Sequence, residues 1–269
     1  MVTINLKGGR GNQYFQIAAT IAYAKRHNIP YHIPDVTSMR GEMRPATVQN
    51  LRNKNYNQNT VRKTTVIVET GFHYEPLPFK DEWVSQDGFI IELNGFFQSP
   101  KYFEDQLSKA DLMVIFDLYG QLRPVTASTV IHFRLGDYMS LQEFHPIITV
   151  DYINNAIKEL AIPNHAFSPI MVLSDSPSIA ETMIKSCSEV VSRGFHVVKN
   201  GDDELHFGTM NRAKSLVTSN STFSWWAAYL NTNSNLKVVC PDPSSWFGPS
   251  LASHDTKDLL PLEWIKVKF

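Results

Sequence analysis

A histidine and an arginine two residues apart, His132 and Arg134, close a short apolar run and precede Gly136 and Asp137. The stretch 128–133 reads as a buried strand, and the Gly-Asp pair as the turn that ends it. Both side chains then stand at the carboxyl end of a strand, where open α/β sheets place ligand contacts. Arg134 offers a planar fork of donors suited to phosphate, and His132 offers two ring nitrogens. A core histidine and a surface arginine would be the plainer reading of these two alone.

Three further groups carry polar chemistry. Asn220-Ser221-Thr222-Phe223-Ser224 follows a strand and opens a helix. Such residues cap helices, and the free N–H groups of a helix start favour anions. A diphosphate could rest there, with hydroxyls of Ser221, Thr222 or Ser224 as donors and Asn220 beside them. Trp225 and Trp226 read as core residues of the same helix, with one of them lining a sugar pocket as the other reading. Near the start, Gly8, Gly9 and Gly11 allow close backbone approach to a ligand. Asn12 and Gln13 would then aim amides at a sugar or phosphate. Asp175 stands at another strand end, where a carboxylate can accept both N1–H and N2–H of guanine. Its alternative role is an N-cap ahead of Pro177. Acceptor activation needs a general base, and the loop after Arg134 holds Asp137, Glu143 and His145. The alternative role of Asp137 is to cap its turn, and neither Glu143 nor His145 is fixed by spacing. The run Asp202-Asp203-Glu204 reads as a helix start, so no metal site is expected.

Alternating elements position these groups. Val2–Leu6 reads as a strand, followed by a glycine turn and a helix over 13–27. The spacing of Gly8, Gly9 and Gly11 is not G-x-G-x-x-G, so a nicotinamide cofactor is not expected. Strands are expected at 31–33, 65–69 and 89–93, and a helix from Pro100. The stretch 40–63 is basic and Asn-rich, and reads as a solvated insertion. Residues 117–125, with Gly120 and Pro124, read as the boundary between halves. The second half repeats the alternation, with helices over 150–160, 178–186, 205–213 and 221–230. Strands are expected at 170–173, 195–198, 215–218 and 236–240. Such alternation implies parallel sheets covered by helices. The expected fold is α/β, with two Rossmann-like domains facing a cleft. They cover residues 1–125 and 126–245, and 246–269 form a tail packing back on the body.

At 269 residues with 43% hydrophobic composition, the chain suits a globular protein with a sizeable core. A net charge of −1 argues against a nucleic-acid binder. Cys187 and Cys240 are the only cysteines and are expected to be buried thiols. No run approaches the ~18 apolar residues of a membrane span. No signal-like segment leads the sequence, so the expected location is cytoplasmic, with at most peripheral membrane attachment.

The segment HFRLGDY resembles the H-x-R-R-G-D-Y motif of the α1,2-fucosyltransferase family, and more distantly the α1,6- and protein O-fucosyltransferases. GGRGNQYFQ at 8–16 is similar to G-G-L-G-N-Q-M-F-Q, and NSTFSWWAA at 220–228 to N-S-T-F-S-W-W-G-A. Fainter echoes lie at 94–103 and 262–265, and the order follows the family. The resemblance implies a GT-B architecture with an acceptor-side N-terminal domain and a GDP-fucose-binding C-terminal domain. It implies metal-independent inverting transfer of L-fucose from GDP-fucose to the 2-hydroxyl of a galactose-ended glycan. It places His132 near the nucleotide base and Arg134 on the diphosphate. Leu135 stands where the family carries a second arginine, and Ser176 where it carries a second aspartate. The rival classes are another nucleotide-sugar transferase of this fold and a non-catalytic glycan-binding module.

Overall fold

The computed structural model describes residues 1–34, 63–121, 127–162 and 169–269. The basic stretch expected over 40–63 lies outside them, apart from Lys63. The chain divides into two compact units. The first is 1–120 with 257–259, and the second is 121–256 with 260–269.

The first unit is built on β1 (Val2–Ile4), β2 (Lys63–Val68) and β3 (Phe89–Asn94), parallel in the order β1-β3-β2. Helix α1 (Arg10–Arg26) carries buried residues almost throughout. It starts three residues before the expected Gln13, so Gly11 and Asn12 lie on the helix and Gly9 is its N-cap. Burial outweighs the helix-interior cost of a glycine, about 1 kcal/mol. The strand expected at 31–33 is a single bridge, Tyr31 to Val2. Pro30 and Pro34 flank it, and a proline cannot donate to a ladder. Short α2 (Asp81–Val84) precedes β3. The helix expected from Pro100 is a 3₁₀ turn over Pro100–Tyr102. The α-helix proper is α3 (Lys109–Ile115), opened by a capping box between Ser108 and Asp111. Phe103, Leu107 and Leu112 are buried as expected. Helix α4 (Leu118–Gln121) follows. The excursion at 257–259 is held to this unit by Asp258, which accepts from Lys101 Nζ at 2.5 Å and from the Tyr74 N–H at 3.0 Å.

The second unit holds β4 (Thr129–Phe133), α5 (Val150–Leu160), β5 (Ile170–Ser174), α6 (Pro177–Ile184), α7 (Ser188–Val191) and β6 (Phe195–Val197). It continues with α8 (Asp203–Asn211), β7 (Ser215–Val217), α9 (Thr222–Tyr229), β8 (Lys237–Pro241) and β9 (Ile265–Val267). All six strands are parallel, in the order β6-β5-β4-β7-β8-β9. Counted from β4, this is the doubly wound order 3-2-1-4-5-6, which reverses between β4 and β7. Strand β9 comes from the C-terminal tail and extends the sheet beyond β8.

Residues along β4 alternate between faces. Ile131, Phe133 and Leu135 enter a core with Tyr152, Ile153 and Ile157 of α5. His132 and Arg134 belong to the alternate set. Leu135 is fully buried, so the position of the missing second arginine belongs to the core of this chain. Cys187 and Cys240 are buried and free. Burial pushes their thiols up to about 11 and about 12.

Candidate functional site

The reversal between β4 and β7 is where a sheet of this order opens a crevice at its carboxyl edge. Arg134 follows β4 directly. One guanidinium nitrogen meets Asp175 at 2.5 Å and another meets Asp137 at 2.7 Å. The guanidinium carbon lies 5.4 Å from the Tyr138 ring centroid, within cation–π range. The fork is thus aimed by two carboxylates and an aromatic face, and stays about a third exposed.

Asp175 follows β5, the neighbour of β4. Its second oxygen accepts the Leu135 N–H at 2.8 Å. Burial raises its pKa, but the N–H groups of Leu135 and Gly136, with Arg134 and His132, outweigh this and hold it below the ordinary value. A Cβ on Gly136 would lie 2.7 Å from the Asp175 carboxylate, so a side chain here would push that carboxylate from its place. The cap of α6 is Ser176, so Asp175 does not serve as the N-cap. Its oxygens are turned onto Arg134 and Leu135. The carboxylate holds the turn that presents the arginine.

His132 is buried, and its Nδ1 lies 3.1 Å from Ser219 Oγ, just past β7. That contact bridges the two strands at the reversal. Burial first, then His206 and Arg134, drive its pKa down to about 3 against the pull of Asp175. The ring is neutral at pH 7.

After Arg134 the chain makes a 3₁₀ turn, Asp137–Ser140. The Tyr138 ring stacks on His145 at 4.8 Å and 15°. On its other side His145 lies 6.0 Å from Phe247. Burial, with Arg134, lowers the His145 pKa against the opposing pull of Asp137. Glu143 is exposed. Its backbone carbonyl accepts the Ser250 N–H at 2.9 Å, and that of Phe144 accepts the Gly248 N–H at 2.9 Å. The structure therefore gathers Arg134, Asp137, Asp175 and His145 around Tyr138, and leaves the Glu143 side chain outside that group.

A Cβ at Gly248 would lie 2.5 Å from the carbonyl oxygens of Gln142 and Glu143. Gly248→Ala must separate two backbone segments. The expected loss of stability is about 1–3 kcal/mol, as for other overpacking changes, read as a lower denaturation midpoint at unchanged slope.

The start of α9 supplies the other wall of the second unit's candidate site. Ser221 is its N-cap and accepts the Phe223 N–H at 3.3 Å. Thr222 is the first helical residue and half-buried. The Ser224 hydroxyl is buried and donates to the Ser221 carbonyl at 3.1 Å. Asn220 is buried, and its amide donates to the carbonyls of Pro146 and Trp246, both at 3.0 Å. Asn220 and Ser224, expected as ligand donors, are thus engaged within the chain. Trp225 and Trp226 are core residues, with Trp225 stacked on Tyr229 at 4.8 Å.

In the first unit Gly9, Asn12 and Gln13 stand at the start of α1. Gln13 is fully buried and donates to the Gly8 carbonyl at 2.9 Å. Its amide, expected at a ligand, here builds the turn. The Asn12 side chain accepts from Gln98 at 3.0 Å. Gln16, the last residue of the GGRGNQYFQ segment, clamps both backbone groups of Lys7 at 3.0 and 2.9 Å. Glu69, missed among the candidate residues, accepts the N–H groups of Phe96 and Phe97 at 2.6 and 2.9 Å and so shapes the turn after β3. Gln16 closes the GGRGNQYFQ segment, and the turn that Glu69 shapes lies in the fainter echo at 94–103.

Asp202 caps α8 by accepting the Leu205 N–H at 2.9 Å, with Asp203 and Glu204 in the first turn. Among the described residues no group of three His, Cys, Asp or Glu could hold a metal ion. No helix among them is long and apolar enough to cross a membrane.

Two parallel α/β units of GT-B-like type, with a phosphate-suited arginine at a sheet reversal, define the layout of a glycosyltransferase. A family model for glycosyl transferase family 11 matches residues 1–267. The chain belongs to that family, which bears out the resemblance read from its motifs. An O-antigen biosynthesis glycosyltransferase, WbnK, of Escherichia coli is 30% identical over 146 residues, covering 52% of this chain and 44% of that protein. An alpha-1,2-colitosyltransferase of Escherichia coli is 28% identical over 193 residues, covering 66% and 63%. The chain thus spans less than two thirds of either relative. A solved structure of a mutant of Arabidopsis thaliana FUT1 in complex with GDP superposes with a TM-score of 0.51 at 14% identity. It covers 92% of this chain and 73% of that one, and supports the fold.

Proposed function

We propose that this chain is an inverting fucosyltransferase that moves L-fucose from GDP-fucose to the 2-hydroxyl of a galactose-ended glycan. The observation that carries this reading is Arg134, aimed by Asp137 and Asp175 at the reversal of the doubly wound sheet. In such a transfer the acceptor oxygen bonds to the anomeric carbon as the bond to the β-phosphate oxygen breaks. Negative charge grows on the departing GDP, and the acceptor proton goes to a base. Arg134 stabilises the growing charge, together with Ser221 and Thr222 at the start of α9. The N-terminal unit is the acceptor-side unit in this reading. His145 is the better base of the pair Glu143 and His145. It is neutral at pH 7 and stacked on the ring that also carries Arg134.

The likeness to an alpha-1,2-colitosyltransferase supports a second reading of the donor. Colitose is fucose lacking one hydroxyl, so the same chemistry would serve. Incubation with GDP-fucose, GDP-colitose, GDP-mannose and UDP-galactose, each with a panel of galactosides, tests both readings. Product mass and linkage analysis should show a 2-linked fucosyl galactoside. Transfer from GDP-colitose alone would select the second reading, and no transfer from any donor would leave only a binding module.

The transferase should not require a divalent metal. Asp202 and its neighbours serve the start of α8, and Arg134 supplies the positive charge that a metal would otherwise bring. Turnover should persist in EDTA, and abolition restored by Mn²⁺ would reverse this assignment.

A further inference from the structure

We infer that Asn220 is a positioning residue for the transfer step: it fixes His145 against Tyr138 beside Arg134 and makes no contact with the donor. The inference rests on the reading of His145 as base. Asn220 is 2% exposed and stands just before the α9 cap. Its side-chain nitrogen donates to Pro146, the residue after His145, and to Trp246, the residue before Phe247. Its backbone carbonyl accepts the Tyr138 hydroxyl at 3.3 Å. One buried residue thus ties down the ring under His145, the peptide that follows His145, and the segment opposite it.

The amide orientation follows from chemistry. Turned over, it would set an oxygen against two carbonyl oxygens. In the observed orientation Oδ1 is buried and has no hydrogen-bond partner. Buried acceptors are ordinarily satisfied, so this position keeps two N–H bonds at the expense of an orphaned oxygen.

The surroundings of His145 make the pin measurable. Asp137 and Arg134 face it from the turn after β4, and Tyr138 lies beneath it. Phe247 flanks it, with His254 at 5.5 Å behind that ring. Asn220 brings no charge from α9. Burial is the leading cause of the lowered pKa of His145. Loosening the loop admits water, and the pKa should rise toward its ordinary value.

The test compares the wild-type chain with Asn220→Ala and Asn220→Asp by NMR titration of the His145 ring, by GDP calorimetry and by steady-state turnover. In both variants the His145 pKa should rise by about half a unit or more, and the acid limb of kcat should move up with it. Turnover should fall roughly tenfold to a hundredfold, the equivalent of two lost hydrogen bonds. GDP affinity should stay within about threefold. Tyr138→Phe keeps the ring and removes one tie, and should shift the titration the same way by less; it decides the matter if the Asn220 variants fail to fold. An unmoved His145 titration in a cooperatively folding variant, or GDP affinity falling in step with kcat, would overturn the inference. A wild-type chain that neither binds GDP nor turns over donor would defeat the functional reading, while the ring titration would still decide whether Asn220 is the pin.

Discussion

Arg134→Ala should lower kcat by about 10²-fold or more, the scale of losing one oxyanion donor. As the bond to the sugar breaks, charge accumulates on the β-phosphate. A donor fork aimed there strengthens its hold along the reaction and acts on the transition state more than on the bound donor. The structure adds a second penalty. Asp137 and Asp175 both face the guanidinium, and its removal leaves two carboxylates without their cation, close to where a diphosphate must sit. GDP affinity should therefore also fall, but by less than kcat. Leu135 cannot compensate, because it lies in the core against α5. Arg134→Lys should restore only part of the rate, since an ammonium cannot span both carboxylates and a phosphate as a planar fork does. Steady-state kinetics beside GDP calorimetry measures both effects. A folded Arg134→Ala chain that keeps more than about a tenth of wild-type kcat would remove Arg134 from the reaction.

Features written in local pattern were legible before the structure. Helix α5 spans the expected 150–160 because Thr149 caps it and its apolar residues recur at helical spacing. Alternating strands and helices in the second half gave a parallel sheet. The strand order was not legible, since nothing local distinguishes a sheet growing one way from one that reverses. The reversal at β4 and β7 is what brings Ser219 to His132. Boundaries failed where a local preference met a stronger global one. Gly11 enters α1 because that helix is buried along most of its length. Pro100 marked a helix start but opened only a 3₁₀ turn, while the true start at Ser108 was written in its capping box. Among candidate site residues, types were legible and directions were not. Gln13, Asn220, Ser224 and Asp175 have the chemistry to meet a ligand, and the same chemistry to satisfy backbone groups. Only the fold decides between these uses, and it gives all four internal partners.

Asp175→Ala should cost about 1.5–3 kcal/mol of stability, the range for hydrogen bonds to a charged group, and should lower turnover through Arg134. The carboxylate joins the turn after β4 to the end of β5 by accepting both the Leu135 N–H and the Arg134 guanidinium. Its removal leaves Arg134 to Asp137, an exposed partner three residues on, and the Tyr138 ring. The stability effect has a defined pH dependence. In the folded chain the Asp175 carboxyl titrates below its ordinary value of 3.8. Between the two values the unfolded chain binds the proton and the folded chain does not, so stability rises with pH there. The contribution is complete above the ordinary value and is lost as pH falls through the folded one. Denaturant unfolding of wild type and Asp175→Ala should then give a constant difference near neutral pH that narrows in acid. Asp175→Asn separates charge from shape. An amide oxygen can still accept from Leu135 but brings no charge to Arg134, so its stability should lie between the two and show little narrowing in acid. A wild-type advantage that stayed constant down to the lowest pH at which the chain folds would show that Asp175 acts through packing, and the aiming of Arg134 would then rest on Asp137 and Tyr138.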